Sequence, residues 1–80
     1  MKQLLELSQI VGNEYELRVT AYAMSPAETK EARTELDDQL FRYTHIDADL
    51  LHAELVGTYD AVIASMKQLE KQNWVWRETS

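Results

Sequence analysis

Cysteine is absent from this chain of 80 residues, which also has only one proline and two glycines. Without cysteine the chain forms no disulfide bond and no thiolate metal site, and this favours a reducing cytoplasm over a disulfide-free secreted location. No apolar run approaches the roughly 18 residues that span a membrane, and Glu6 comes too early for the apolar region of a signal peptide. We therefore expect a cytoplasmic protein that does not use a membrane as its partner.

The scarcity of glycine and histidine also disfavours catalysis. Nucleophilic catalysis needs a nucleophile, a base and an oxyanion site, and the last is commonly built on strained or glycine-rich turns. The nearest metal-ligand spacing joins Asp49 to His52, which is only half of one carboxylate and histidine pair. The sequence predicts no enzyme, no metal site and no cofactor, and the lack of a basic cluster disfavours direct binding of nucleic acid.

The strongest positive signal is the start of a helix at Ser25-Pro26-Ala27-Glu28. A serine hydroxyl can accept a hydrogen bond from a free backbone N–H, proline sets φ for the first turn, and Glu28 can reach back to the serine N–H. A narrow apolar seam continues this helix from Pro26 to about Tyr43. The seam consists of Ala32, Leu36, Leu40 and Tyr43.

Residues 2–24 have apolar side chains every three or four positions, which predicts a first helix with a kink at Gly12-Asn13. The alternative is a strand over residues 14–23, where apolar and polar residues alternate, paired with residues 73–77. The apolar residues with the helical spacing are Leu4, Leu7, Val11, Tyr15, Val19 and Tyr22.

A third helix is predicted from Ala48 to about Gln72, with Asp47 as its cap. Ile46 would contact Leu51 across the helix start as a hydrophobic staple. The predicted fold class is thus all-α: a compact three-helix bundle, up-down-up, that forms one small helical domain over residues 1–80, with no internal repeat. An α+β fold is the alternative.

The net charge of −6 lies in the middle of the chain, because residues 28–60 hold nine acidic and three basic residues. Such a section repels nucleic acid and can attract a basic protein surface, although charged helix faces commonly serve only solubility. Aromatic residues add a second signal, since tryptophan is enriched in protein interfaces. The candidate protein-binding residues are Glu28, Glu31, Glu35, Asp37, Asp38, Phe41, Asp47, Asp49, Trp74 and Trp76.

These features favour a non-catalytic module that binds a protein stoichiometrically, either a second copy as a homodimer or a partner that it regulates or inhibits. The alternative is an acidic nucleic-acid mimic, an inhibitor of the anti-CRISPR or anti-restriction type that viruses and mobile elements encode. In that hypothesis the carboxylates stand in for phosphates in the groove of a nucleic-acid-binding protein. No motif of any such family is present, so the second hypothesis depends on charge alone.

Overall fold

The computed structural model describes residues 1–78, which form a five-stranded mixed sheet and two helices. Across the sheet the strands are ordered β3-β4-β2-β1-β5; β1 and β5 are parallel neighbours and the other neighbours are antiparallel. The predicted all-α helical bundle is therefore wrong. In chain order the elements are β1 (Lys2–Val11), β2 (Glu14–Tyr22), α1 (Pro26–Asp38), β3 (Arg42–Ile46), β4 (Leu50–Thr58), α2 (Tyr59–Lys71) and β5 (Val75–Trp76).

A β-hairpin takes the place of the predicted first helix. Gly12 and Asn13 form its two-residue turn, and Gly12 has a φ of +53°, which glycine adopts without the clash that a side chain would cause. The predicted strand over residues 14–23 corresponds to β2, but its predicted pairing is wrong. β2 lies between β1 and β4, and β1 is the strand that pairs with β5.

Helix α1 begins where its sequence predicts. The Ser25 hydroxyl accepts a hydrogen bond from the backbone N–H of Glu28, and the Glu28 carboxylate accepts one from the backbone N–H of Ser25. The helix ends at Asp38 rather than at Tyr43, because the backbone turns into the left-handed region at Leu40, where φ is +64°.

Residues 50–71 form β4 and α2, where one long helix was predicted. Leu51 and Ala53 are buried at alternate positions of β4, and the Thr58 hydroxyl then caps α2 by accepting a hydrogen bond from the backbone N–H of Ala61. Ile46 and Leu51 are neighbours as predicted, but they lie opposite each other on β3 and β4 rather than across a helix start.

The core lies between one face of the sheet and the two helices. Its sheet residues come from alternate positions of the strands, and its helix residues come from the inward side of α1 and α2. The opposite face, which we call the open face, carries charged and histidine side chains such as Arg18, His52 and Glu54. The buried apolar residues are Leu4, Leu17, Val19, Ala21, Ala32, Leu36, Phe41, Leu51, Ala53, Val62, Leu69 and Trp74.

The chain contains two similar units, which share β3: the first extends from β1 to β3 and the second from β3 to β5. Each unit has a hairpin followed by a helix of 13 residues, then a left-handed residue, a buried aromatic residue and a strand. Both helix ends have the same backbone hydrogen bonds, in which the aromatic N–H donates to the last buried leucine carbonyl. The matching positions are Leu36 and Leu69, Gln39 and Gln72, Leu40 and Asn73, and Phe41 and Trp74.

Candidate protein-binding surface

Three of the predicted binding residues are buried. Phe41 and Trp74 belong to the core, each directly after a helix end, and Glu35 on α1 is 8% exposed. In this fold they contribute to the interior rather than to a contact surface.

Glu35 is the centre of a hydrogen-bonded network that joins distant parts of the chain. Its Oε1 accepts hydrogen bonds from Lys2 Nζ at 2.8 Å and from Trp74 Nε1 at 2.9 Å. Lys2 Nζ also donates to the carbonyl of Gln72 at 2.6 Å and lies 5.6 Å from the centre of the Trp74 ring. The network supplies partners for a buried carboxylate and a largely buried ammonium group, which would otherwise destabilise the fold.

The remaining predicted carboxylates are exposed, but they lie in separate places. Glu28 and Glu31 line a cavity of about 210 Å³ next to Lys2, and the Ser25 cap holds the pKa of Glu28 below its usual value. Asp37 and Asp38 lie at the end of α1, with Asp37 Oδ1 2.7 Å from the Tyr43 hydroxyl.

Two further predicted carboxylates, Asp47 and Asp49, lie in the turn between β3 and β4. Thr29 connects α1 to this turn, because its hydroxyl donates a hydrogen bond to the carbonyl of Ala48. Trp76, the last predicted residue, is 40% exposed on the short edge strand β5 beside Val75.

Leu40 is the most unusual surface residue of the described chain. It has a left-handed backbone with φ +64°, and its side chain is 83% exposed. A side chain with a Cβ atom is strained in this conformation, and glycine or asparagine normally occupies it at a helix end. Asn73 holds the matching position after α2, with φ +71°. The two helix ends thus share one geometry, but only the second has a residue type suited to it.

Leu40 borders a notch in the sheet. β4 is paired with β2 along its whole length, whereas β3 pairs only with residues 51–54 of β4. No other strand of residues 1–78 covers the outer edge of residues 55–58, so alternate residues there direct backbone N–H and C=O groups outward. A groove of about 390 Å³ lies at this place and is lined by Leu40, Arg42, Glu54, Leu55 and Val56.

The notch combines an apolar lining with an acidic margin. Val56 is 47% exposed, and the Arg42 guanidinium forms an ion pair with Glu54, which neutralises both groups. Asp37 and Asp38 directly precede the Leu40 turn, and Asp60 follows residues 55–58 in the first turn of α2. The acidic residues nearest to the groove along the chain are therefore Asp37, Asp38 and Asp60.

Gly57 lies on the same uncovered stretch, and neither its conformation nor its packing requires glycine. Its φ is not positive, and an added Cβ atom would meet Val62 at 3.7 Å, an ordinary contact. Glycine inside a strand often marks a place where another backbone approaches closely.

Sequence reasoning missed the notch because Leu40 fitted the apolar seam of the predicted second helix. A sequence signal could have drawn attention to Leu40, although not to the notch: the repeated ending Gln39-Leu40-Phe41 and Gln72-Asn73-Trp74. It places leucine where the other copy has asparagine.

The open face carries ion pairs and a pair of histidine rings. Arg18 lies between Glu6 and Glu16 in ion pairs, and the rings of His45 and His52 meet edge-on across β3 and β4, with centroids 6.0 Å apart. Within residues 1–78, no group of three or more acidic or histidine side chains could hold a metal ion.

No protein-family model, curated protein or solved structure matches the chain. Among the described residues, neither helix is long and apolar enough to cross a membrane.

Proposed function

We propose that the protein is a non-catalytic module that acts stoichiometrically by binding another protein at the notch beside Leu40. The observation that carries the proposal is the exposed leucine with a strained backbone. An exposed leucine in the left-handed region contributes little to folding and costs about 1 kcal/mol relative to asparagine, so its contribution is better sought in contact with a partner. The cysteine-free composition supports the cytoplasm as the place of action.

The partner we propose has a basic surface. The acids at the margin of the notch attract such a surface, and they disfavour self-association there, because two copies would bring like charges together. This argument makes a regulated or inhibited protein a better candidate than a second copy of the chain.

The nucleic-acid mimic has less support. The carboxylates that would replace phosphates are divided between the cavity beside Lys2, the end of α1 and the turn between β3 and β4, and Glu35 is paired inside the fold. In addition, Lys30 and Arg33 are exposed on the same helix as the acids.

The first prediction compares Leu40→Asn with its reciprocal variant, Asn73→Leu. Leu40→Asn relieves backbone strain and raises the free energy of unfolding by about 1 kcal/mol, and Asn73→Leu lowers it by a similar amount. The binding results have a different pattern. The binding experiment recovers a partner with the wild type from cells of the native source and quantifies it by mass spectrometry. We expect Asn73→Leu to retain this partner and Leu40→Asn to recover at least about tenfold less of it.

This pair separates folding from binding, because the variant that loses the partner is the more stable one. Equal recovery with Leu40→Asn and the wild type would contradict the proposal. Binding that ignores Leu40 but falls steeply with salt, and falls further when Glu31 or Asp38 is replaced by lysine, would instead favour the mimic.

A further inference from the structure

We propose that the partner contributes an extended segment that adds to the sheet as a short strand along residues 55–58 of β4, with apolar side chains at Leu40 and Val56 and basic side chains facing the surrounding acids. This inference depends on the proposed function and specifies the chemistry of the partner. It concerns the backbone of β4, which the comparison of Leu40 with Asn73 does not test.

The backbone of residues 55–58 favours an added strand. One edge is fully paired with β2, while the other edge has free donors and acceptors within a stretch that is already extended. A peptide that binds to such an edge gains main-chain hydrogen bonds, and neighbouring pockets select its side chains. The edge is preorganised, so the protein itself loses little conformational entropy on binding.

The position of β3 limits the site to this stretch. β3 is the edge strand of the sheet and covers only residues 51–54 of β4. An added strand along residues 55–58 would therefore continue in line with β3 rather than lie outside it. β3 itself is a poorer edge because a bulge between Tyr43 and His45 interrupts its register. β5 is only two residues long.

Charge decides which segment fits. Asp37 and Asp38 lie three and two positions before Leu40, Asp60 lies two positions after Thr58, and Arg42 is already paired with Glu54. A segment with lysine or arginine at its ends and β-branched residues between them complements this arrangement. A second copy of the notch stretch would instead place these acids opposite one another.

A synthetic peptide of sequence Lys-Val-Thr-Val-Thr-Val-Lys tests the inference directly. We expect saturable binding by fluorescence anisotropy, together with slowed hydrogen exchange at outward-facing backbone amides of residues 55–58. The same peptide with glutamate at both ends should bind at least about tenfold more weakly, because its charges repel the acids of the protein. Peptides N-methylated on alternate residues, along the peptide edge that would pair with β4, should bind at least about tenfold more weakly because they lose main-chain hydrogen bonds.

Two exposed valines provide matched variants. Val56→Lys places a positive charge in the notch and should weaken binding of the basic peptide about tenfold. Val75→Lys makes the same change on β5, at the other edge of the sheet, where the side chain is 51% exposed, and should leave the affinity unchanged.

Three results would overturn the inference: no saturable binding, equal affinity for the acidic and N-methylated peptides, or protection confined to β3 or β5. If capture of a natural partner still depends on Leu40 in any of these cases, the proposed function stands and only the added strand is wrong. A Leu40-dependent dimer in sedimentation would replace the peptide segment by a second copy.

Discussion

Two neighbouring glutamates on α1 have different environments and different roles. Glu31 and Glu35 are one turn apart on α1, yet Glu31 lines an open cavity, whereas Glu35 is held inside by Lys2 and Trp74. The difference follows from what the helix faces at each point. A carboxylate in the interior needs both a charge and hydrogen-bond donors, and Lys2 and Trp74 supply them.

Removing the Glu35 carboxylate should therefore be costly. Glu35→Ala leaves the Trp74 N–H without its acceptor and the Lys2 ammonium without its counter-charge, with only the Gln72 carbonyl as acceptor, and should lower the free energy of unfolding by about 2–4 kcal/mol. Glu35→Gln keeps an oxygen acceptor for Trp74 and should cost less. Urea denaturation followed by tryptophan fluorescence measures both changes. Glu31→Ala is the control, with an expected change within about 0.5 kcal/mol, and a similar loss in both alanine variants would contradict the structural role.

Tyr43 gives the fold a pH dependence at the alkaline end. Burial, followed by the hydrogen bond to the Asp37 carboxylate, raises the pKa of Tyr43 to about 12, compared with about 10 for tyrosine in an unfolded chain. Above pH 10 the unfolded chain loses the phenolic proton first, so stability decreases until the pH passes the folded pKa.

We expect the free energy of unfolding of the wild type to fall between about pH 10 and pH 12, and Tyr43→Phe to lose this part of the decrease. Denaturation over a pH series measures it. Ultraviolet titration of the folded protein provides a second readout, since the transition near pH 12 should disappear in Tyr43→Phe. If that transition persists in the variant, it belongs to another group.

Secondary-structure elements differ in how well the sequence predicts them. The start of α1 is predictable, because capping box and proline are local chemistry. The end of α1 is not, because nothing local indicates that Leu40 adopts a backbone unfavourable to leucine. Tertiary packing of Phe41 after the turn outweighs that local cost.

β1 was mistaken for a helix for an identifiable reason. A bulge between Leu4 and Glu6 adds one residue, so that Leu4 and Leu7 lie on the same face of the strand although they are three apart. Spacing of three is typical of a helix, and a bulge in a strand reproduces it. Gly12-Asn13 fits a hairpin turn as well as a helix kink, and the structure has the hairpin. The notch was beyond sequence reasoning, because it exists only where β3 ends earlier than β4.

The two glycines should respond oppositely to alanine. Gly12 has φ +53° with nothing near its missing Cβ atom, so Gly12→Ala should lower the free energy of unfolding by about 1 kcal/mol through backbone strain alone. Gly57 has no positive φ and room for a methyl group beside Val62. Gly57→Ala should raise the free energy of unfolding by about 0.5–1 kcal/mol. Thermal and urea denaturation of the two variants check the signs, and a destabilising Gly57→Ala would mean that the strand cannot accept a side chain there.

The whole molecule has a net charge of −6, which influences how fast it meets a basic partner more than how long it stays bound. Long-range attraction acts before contact, whereas the apolar surface of the notch acts after it. The two contributions can therefore be separated by kinetics.

Asp38→Lys should slow association several-fold and weaken its dependence on salt, while Leu40→Asn should mainly speed dissociation. Surface plasmon resonance with the captured partner measures both rates. Glu78→Lys, an equal charge change at an exposed residue beyond β5, should affect association less. Equal slowing by both lysine variants would show that only the overall charge matters, and not its position beside the notch.

The contacts of Lys2 also have a consequence for the order of events during synthesis. Its ammonium group binds Glu35 on α1 and the carbonyl of Gln72, which is 70 positions along the chain. Translation proceeds from the amino terminus, so β1 can pair with β2 early, but Lys2 meets its Gln72 partner only after α2 has been made. Until then β1 lacks its neighbour β5, and the interior lacks Trp74. We expect the native state to form in one late step after residue 74 emerges, rather than progressively as the chain grows.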